Sequence, residues 1–262
     1  MKNSKNIVKF QNLSNLPIIH GFSWGREAEN MSEGFDDPSI IQGRVANFLN
    51  SLNISSNLPI VRISPDNVSF HDPDILELSK EILKRKLSDA GEIEVGANAI
   101  FTKEKDIVLT VKPADCAICI VYAETQEGEI YIGLIHCSAW TTDKLLPLNA
   151  IEYLLKVKLT NRAKIKIGIT PAISQDFFYV SKKDINLSNW GGFLKEEDGK
   201  IFIDIVGNVT KQLKEAGVPE NNIETSLVDT FAHAMEGNTF SHRLSRDENF
   251  PEGRYIVAVK LK

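Results

Sequence analysis

The chain has 262 residues, of which 42% are hydrophobic and 25% are charged, a composition typical of a globular protein that buries a full core. Its formal net charge of −5 argues against nucleic acid as the main partner, and no run of about 18 uncharged apolar residues predicts a membrane span. Three cysteines, in a chain whose first residues lack the apolar segment of a signal peptide, favour a reducing, cytoplasmic setting.

The first half of the chain is predicted to contain both strands and helices, without strict alternation between them. Apolar residues spaced for one helical stripe follow Ser39, a typical N-cap residue, and a second such stripe follows Asp74. The predicted helices are therefore 39–52 and 74–87, and the predicted strands are 17–23, 58–64, 97–102 and 107–112.

The second half continues the same mixture. The predicted helices are 143–159 and 203–216, the second stopped by Gly217, and the predicted strands are 163–169 and 254–261. Because several strands are joined by hairpins, the pattern favours an α+β fold, a mixed β-sheet flanked by helices, over a doubly wound parallel α/β fold. No linker rich in Pro, Gly or Ser divides the chain, so one domain over residues 1–262 is expected.

One hairpin is predicted to bring a thiol and an imidazole together. Its arms are residues 108–122 and 129–138, joined by a turn at 125–128. Residues equidistant from a turn lie opposite each other with Cβ atoms about 4.5–5.5 Å apart, and the midpoint of Cys116 and His136 falls inside this turn. We therefore expect the two side chains to share one cleft, as a nucleophile with its base or as two ligands of one metal ion.

Two arginines near the C-terminus are candidate anion ligands. Arg243 lies in a stretch rich in Arg and His, and Arg254 stands just before the last predicted strand. A guanidinium can hold phosphate or carboxylate in a fork, although a solvated loop with surface charges is the alternative interpretation. Cys119 is interpreted as a small buried residue, because it and Cys116 have no second pair at the spacing of a zinc site.

Four short blocks, taken in order, resemble the YfiH-type laccase-domain family, which is also described as polyphenol-oxidase-like and as purine nucleoside phosphorylases. The matching stretches are 111–116 for the family's T-A-D-C block, 135–140 for H-A-G-W-R-G, 167–173 with 179–180 for G-P-x-I-G…Y-E-V, and 240–243 with 253–254 for F-S-Y-R-R…G-R. Residues 97–99 further resemble its A-D-A. The resemblance covers residues from about 15 to 262, and the order and spacing of the blocks make it more specific than any one block.

The resemblance implies one domain built on a mixed sheet, with zinc held by His, Cys and His at the mouth of a pocket. It also implies phosphorolysis of adenosine, inosine or methylthioadenosine to the free base and a ribose 1-phosphate, with some adenosine deamination. Older descriptions of the family invoke copper and phenol oxidation, and zinc is the metal favoured here. On this chain Cys116 and His136 would be metal ligands, and Arg243 and Arg254 would neutralise phosphate.

The sequence departs from the family pattern around the same site. Ser64 stands where the first histidine ligand is expected, and a serine hydroxyl is a poor zinc ligand beside imidazole and thiolate. Asn98 replaces the acidic residue of A-D-A, Leu244 replaces the second arginine of R-R, and the arginine after the tryptophan is missing. The metal site is therefore expected to be degenerate, with His71 or His242 as candidate replacements.

Three functions stay open at this point. The first is a divergent purine nucleoside phosphorylase with a nucleoside and phosphate as its partners, acting as a monomer or a small homo-oligomer. The second is a metal-free hydrolase or deamidase in which Cys116 is the thiolate, His136 the base, and Ser64 or Asn98 an orienting group. The third is a catalytically inactive paralogue that keeps the fold and a ligand pocket.

Overall fold

The structure, a computed structural model, describes residues 6–25, 29–32, 36–64, 75–84 and 92–262. In these ranges the strands are β1 (Ile7–Val8), β2 (Ile18–Ser23), β3 (Ile60–Ile63), β4 (Ile75–Leu78), β5 (Glu92–Val95), β6 (Ala99–Thr102), β7 (Val108–Val111), β8 (Ala117–Glu124), β9 (Ile130–Cys137), β10 (Lys166–Ile169), β11 (Tyr179–Val180), β12 (Leu194–Glu197), β13 (Lys200–Ile203), β14 (Ile223–Thr225) and β15 (Val257–Leu261). The helices are α1 (Gln11–Ser14), α2 (Pro38–Ser51), α3 (Lys80–Lys84), α4 (Ala139–Asp143), α5 (Leu146–Val157), α6 (Leu187–Trp190), α7 (Ile205–Glu215), α8 (Thr230–Met235) and α9 (His242–Glu248).

Two mixed sheets form the centre of the protein. The first sheet has the order β1-β2-β15-β7-β3-β5 and the second has the order β14-β10-β8-β9-β6-β4, while β11-β13-β12 form a smaller sheet. Apolar residues from both large sheets, such as Leu109 and Leu134, form one buried cluster between them. The opposite face of the first sheet packs on α2, and that of the second packs on α5 and α7. The predicted class, a mixed β-sheet sandwich flanked by helices, is confirmed.

Alternation along the central strands assigns each residue to one face of the second sheet. In β8, Ile118 and Ile120 join the cluster between the two sheets, whereas Cys119 and Val121 join the cluster under α5 and α7. Since side chains alternate with a period of two, His136 belongs to the face that carries Leu134 in β9. This face is the one that looks toward the first sheet.

The predicted first arm of the hairpin is wrong as a single strand. β7 belongs to the first sheet and β8 to the second, so residues 112–116 form the crossing between the two sheets. Pro113 lies in this crossing, and a proline has no N–H with which to continue a ladder of hydrogen bonds. The crossing brings Cys116 to the point where the ends of both sheets meet.

The predicted direct opposition of Cys116 and His136 is also wrong. His136 pairs with Ile118, because the turn is closed by a hydrogen bond from Thr125 N to Glu129 O at 2.8 Å and is therefore centred on Glu127. The register differs from the prediction by two residues. Cys116 lies in the crossing just before β8 and has no partner in this ladder.

The segment predicted as a helix over 74–87 is wrong in its first part. Ile75–Leu78 is a strand that pairs in parallel with β6 at the edge of the second sheet, and α3 follows for five residues. Residues 74 and 85–87 of the predicted helix lie outside the described ranges. Backbone pairing with β6 overrides the helical spacing of the apolar residues, because short apolar runs fit either structure.

The other predicted elements are found with changed bounds. The predicted strands 17–23, 58–64, 97–102, 107–112, 163–169 and 254–261 each contain an observed strand, and Gly217 ends α7 with φ +92°. Asp37 rather than Ser39 caps α2, accepting the N–H of Ser39 at 2.8 Å. The helix predicted over 143–159 is found as α5, which begins only at Leu146, because Leu145 before it has a φ of +60°. The short helix α4, which ends at Asp143, was not predicted.

No helix in the described ranges combines the length and the apolar composition needed to cross a bilayer. The longest, α2, has 14 residues, whereas a spanning helix needs about 20.

Candidate functional site

A cavity of about 440 Å³ opens at one end of the sandwich. β3 and β7 are parallel and β15 is antiparallel to β7, so the carboxyl ends of the first two meet the amino end of the third. The start of β8 and the end of β9 reach the same place from the second sheet. The lining comprises Met31, Ser32, Arg62, Ile63, Ser64, Lys112, Pro113, Ala114, Asp115, Cys116, His136, Phe178, His242, Arg243, Arg246 and Arg254.

The structure brings the sequence-predicted residues to this one cavity. Cys116, His136, Arg243 and Arg254 all line it, and so does Ser64 in the position of the missing ligand. Cys116 is partly exposed just before β8, and His136 is 8% exposed near the end of β9. Chain segments more than 100 residues apart in the sequence therefore supply a thiol, an imidazole and two guanidinium groups to a common space.

Asn98 fixes the orientation of His136. The backbone N–H of His136 donates to Asn98 O at 2.7 Å, and the ring Nδ1 lies 3.1 Å from Asn98 Oδ1. With the amide oxygen as the acceptor, Nδ1 carries the proton and the lone pair of the neutral ring lies on Nε2. Of the two orienting groups considered for the metal-free hydrolase, Ser64 and Asn98, Asn98 contacts the ring nitrogen.

Thr141 holds the backbone of the same histidine from the other side. Its hydroxyl donates to His136 O at 2.9 Å, and with Ser138 it forms the capping box that starts α4. The family block has an arginine and a glycine in this region, and here a buried Thr141 anchors the main chain instead.

The side chain of Asp115 links the crossing between the sheets to the C-terminal segment through hydrogen bonds. One carboxylate oxygen accepts from Thr230 Oγ1 and the other from the backbone N–H of Arg243, each at 2.7 Å. Its own carbonyl accepts from Ile173 N at 2.9 Å. Burial raises the pKa of this carboxyl, while the hydrogen bonds from Arg243, Thr230 and Ser241 act in the opposite direction. The residue before Cys116 thus fixes the start of α9, which carries Arg243.

Arg243 is held in place by aromatic rings and a carbonyl. Its guanidinium donates to Tyr179 O at 2.8 Å, and its central carbon lies 4.4 Å from the ring centre of Tyr179 and 5.1 Å from that of Phe178. Arg254 is held differently, through Glu252 at 2.8 Å. Leu244, which replaces the second arginine of the family block, is 2% exposed and is not part of the cavity lining.

The thiol of Cys116 does not have the acidity of an activated nucleophile. Burial and, to a smaller extent, the charge of Asp115 raise its pKa to about 12, while Arg254 acts in the opposite direction. An activated cysteine nucleophile needs a depressed pKa. The direction of the shift therefore argues against the metal-free hydrolase or deamidase.

The described residues do not fit the His-Cys-His zinc site that the resemblance implies. They contain no group of three His, Cys, Asp or Glu side chains that could hold a metal ion. Ser64 offers a hydroxyl at the third position, and a neutral hydroxyl is a weak ligand for zinc or copper. His242 lines the cavity but is more than half exposed and lies 3.3 Å from Glu252, and His71 lies outside the described residues.

Several residues that line the cavity were not predicted as site residues from the sequence. Arg62, Lys112, Arg246 and Phe178 line the cavity together with the predicted groups. Arg62 stands two residues before Ser64, and Lys112 lies inside the 111–116 block. Both are therefore next to positions at which the sequence predicts other site residues. Cys119 is completely buried on the other face of the second sheet, 3.7 Å from the sulfur of Cys137, which confirms its interpretation as a buried residue.

Comparisons with known proteins give the family of this chain and its fold. The family model described as multi-copper polyphenol oxidoreductase laccase matches residues 27–262. A protein of Bacteroides thetaiotaomicron named purine nucleoside phosphorylase is 26% identical over 188 residues, which are 69% of this chain and 68% of that protein.

Solved structures share the fold at low sequence identity. The Geobacillus stearothermophilus protein YlmD superimposes with a TM-score of 0.80 at 18% identity, over 100% of this chain and 98% of that one. The Bacillus licheniformis hypothetical protein YfiH gives a TM-score of 0.79 at 17% identity, over 99% and 98% of the two chains. With a family model matched over most of its length, the chain belongs to the laccase-like family of YfiH proteins, described as multi-copper polyphenol oxidoreductase laccases.

Proposed function

We propose that the cavity binds a purine nucleoside and inorganic phosphate, and that the protein is a divergent purine nucleoside phosphorylase. The observation that carries the proposal is that Cys116, His136, Arg243 and Arg254 line one cavity. The cavity volume of about 440 Å³ lies within the usual range for small-molecule sites, roughly 300–1,000 Å³. The relative named purine nucleoside phosphorylase supports the same class of reaction.

The two C-terminal arginines are proposed to bind phosphate. Arg243 is 7% exposed and its orientation is set by Tyr179 and by the hydrogen bond from its backbone to Asp115. A guanidinium fixed before the ligand arrives loses little conformational entropy on binding, and its fork matches the oxygens of a phosphate. Arg254, on the adjacent segment before β15, would neutralise the second charge of the dianion.

The proposed reaction exchanges one bond at the ribose for another. A phosphate oxygen forms a bond to C1′, the bond from C1′ to N9 of the purine breaks, and the electron pair of that bond leaves with the purine. The purine takes up the proton that the attacking hydrogen phosphate loses, which gives the free base and a ribose 1-phosphate. His136 is proposed to carry this proton: Nε2 accepts it from the phosphate and passes it to the purine, because Asn98 already engages Nδ1.

The reaction can be tested with purified protein, adenosine and phosphate, with adenine, inosine and ribose 1-phosphate measured by mass spectrometry. Adenine is expected only when phosphate is present, and its formation should fall in Cys116→Ala and Arg243→Gln. Cys119→Ala is the matched control, since that thiol is buried outside the cavity. No adenine or inosine above the level of Cys116→Ala would refute phosphorolysis, and inosine alone would point to deamination. Inosine and methylthioadenosine serve as alternative substrates in the same assay.

Binding without turnover is the second candidate function. Ser64 at the third ligand position favours it, because a site that has lost a metal ligand can keep its cavity while losing its reaction. A thermal-shift series with adenosine, phosphate and zinc separates the two: stabilisation by a nucleoside without any product supports the inactive paralogue. The three cysteines are free thiols, which suits the proposed reducing, cytoplasmic setting.

A further inference from the structure

We infer that Arg62 and Lys112 form a second anion site in the cavity, so that the preferred ligand is a phosphorylated nucleoside rather than a neutral one. The inference rests on the proposed function for the nucleoside part of the ligand and adds the acidic substituent. It concerns side chains of this chain that neither the family resemblance nor the relatives assign.

Strand geometry brings Arg62 and Lys112 to the same place. β3 and β7 are parallel neighbours in which Arg62 pairs with Thr110, and Lys112 is the first residue after β7. Arg62 Nε and Lys112 Nζ both donate to Glu92 Oε2, at 3.2 and 2.8 Å. The two cations therefore lie side by side at the ends of adjacent strands.

Both cations face the cavity, and their carboxylate partners do not line it. Arg62 is 8% exposed, and the side chain of Lys112 is 5% exposed. Glu92 Oε2 accepts from Arg62 Nε at 3.2 Å and from Lys112 Nζ at 2.8 Å, and Glu94 pairs with another nitrogen of Arg62. Arg62 and Lys112 line the cavity, whereas Glu92 and Glu94 are not part of its lining.

The position of this pair relates to the altered metal site. Ser64 follows Arg62 by two residues, just after the end of β3, and it lines the cavity together with Arg62 and Lys112. The position of the expected histidine ligand therefore shares the cavity with a guanidinium and an ammonium, whose charges Glu92 and Glu94 balance. These groups are hydrogen-bond donors, so they can bind an anionic oxygen of a ligand and cannot ligate a metal cation.

Two separate sources of positive charge fit a ligand with two anionic groups. Arg243 comes from α9 and Arg254 from the segment before β15, while Arg62 comes from β3 and Lys112 directly follows β7. With inorganic phosphate on the α9 side, a phosphate ester on the ribose would reach the other pair. A nucleoside 5′-monophosphate has this chemistry, and a guanidinium beside an ammonium is a typical phosphate site.

The test compares the dissociation constants of adenosine, adenosine 5′-monophosphate, and adenosine with inorganic phosphate, by calorimetry at low salt. The monophosphate is expected to bind about tenfold or more tightly than adenosine, as for one or two charge-assisted hydrogen bonds. Adding inorganic phosphate to adenosine should not reproduce this gain, which separates an ester from the free anion. The difference in affinity between the monophosphate and adenosine should become smaller as the salt concentration rises.

The variants are chosen so that a folding defect cannot imitate the result. Arg62→Gln combined with Glu94→Gln removes a cation together with its partner, and Arg62→Lys keeps the charge. The first should lower the ratio of the two dissociation constants, adenosine to monophosphate, to about one, and the second should keep most of the difference. Lys195→Gln, an exposed lysine paired with Glu197 on β12, is the control.

The outcomes distinguish this inference from the proposed function. Equal binding of adenosine and its monophosphate would overturn the inference and leave the nucleoside site standing. A preference that survives in the Arg62 and Glu94 double variant would also overturn it. Failure of both ligands to bind would overturn the inference and the proposed function together.

Discussion

The carboxylate of Asp115 accepts the backbone N–H of Arg243 at 2.7 Å, across 128 positions of the chain. The side chain of one residue next to Cys116 therefore fixes the start of the helix that carries the proposed phosphate ligand. Thr230 donates to the other oxygen of the same carboxylate at 2.7 Å. Asp115 is a positioning residue by this geometry, because it reaches Arg243 through the main chain.

Substitution of Asp115 by Asn should raise the KM for phosphate more than the KM for the nucleoside. The amide group that replaces one oxygen cannot accept both hydrogen bonds, and the loss of a charge-assisted bond costs about 1.5–3 kcal/mol of stability as well. Steady-state kinetics with each substrate varied, together with urea unfolding, measures both effects.

Thr230→Val provides the comparison for Asp115→Asn. It removes the hydrogen bond to Oδ1 and leaves the one from Arg243 N to Oδ2. If Thr230→Val raised the phosphate KM as much as Asp115→Asn does, the link to Arg243 would not be the cause.

Substitution of Asn98 by Ala should lower kcat by about 10–100-fold, as for other residues that orient a catalytic histidine. The ring of His136 would lose the acceptor 3.1 Å from Nδ1 that sets its tautomer. Asn98→Asp should retain most of the activity, because a carboxylate can accept the same hydrogen bond. The kcat of both variants and its dependence on pH provide the measurement, and equal losses in the two would argue for a merely structural role.

The stability of the protein should fall between pH 6.5 and pH 4 through His20. Burial lowers the pKa of this histidine to about 4, the charge of Lys9 acts in the same direction, and Nε2 accepts the N–H of Phe10 at 2.9 Å. In the unfolded chain His20 takes up a proton below its ordinary pKa of 6.5, whereas in the folded chain it does so only near pH 4. As the pH falls below 6.5, the unfolded state is therefore favoured. At pH 5 this costs about 2 kcal/mol relative to pH 7.5.

His20→Gln keeps an acceptor for Phe10 and has no proton to bind. Urea unfolding of the variant and the parent from pH 7.5 to pH 4.5 should show a shallower acid slope in the variant, with a constant difference above pH 7.5. Parallel curves over the whole range would contradict a neutral His20 in the folded protein.

Alkylation of Cys116 by iodoacetamide should be slow at pH 8. With the pKa raised to about 12 by burial and by Asp115, the reactive thiolate is rarer than in a free thiol on the order of a thousandfold. Mass spectrometry locates the label, and Cys116→Ala gives the background, since Cys119 and Cys137 are completely buried. A rate with an inflection below pH 8 would restore the metal-free hydrolase.

Gly168→Ala should destabilise the protein by about 1–3 kcal/mol through overpacking. A Cβ at this position of β10 would lie 2.2 Å from the ring of Phe10, which is 3% exposed. Thermal unfolding measures the loss, and a second change, Phe10→Leu, should make the two effects less than additive. Gly43→Ala in α2 meets no atom within 4 Å and should instead stabilise the protein slightly.

Much of the fold follows from local pattern. The stripe of Ile41, Val45, Phe48 and Leu49 on α2 is buried as its spacing predicts, whereas Ile40 is 48% exposed at the edge of that stripe. Residues 75–78 were predicted as helix from the same kind of spacing, but they form a strand, because β6 was available to pair with them. Helix and strand compete for short apolar runs, and the choice depends on partners far away in the chain.

The sequence by itself determined the family, the mixed sheet with its helices, and the residue types Cys116, His136, Arg243 and Arg254 that meet in one cavity. Only the tertiary structure decided that Cys116 lies on a crossing between two sheets, that Asn98 orients His136, and that Arg62 and Lys112 face the same space. Helix and strand tendencies and the types of the site residues depend on residues that are close together in the sequence. Register, crossings between sheets and cavity walls depend on backbone pairing between distant strands, which no local pattern specifies.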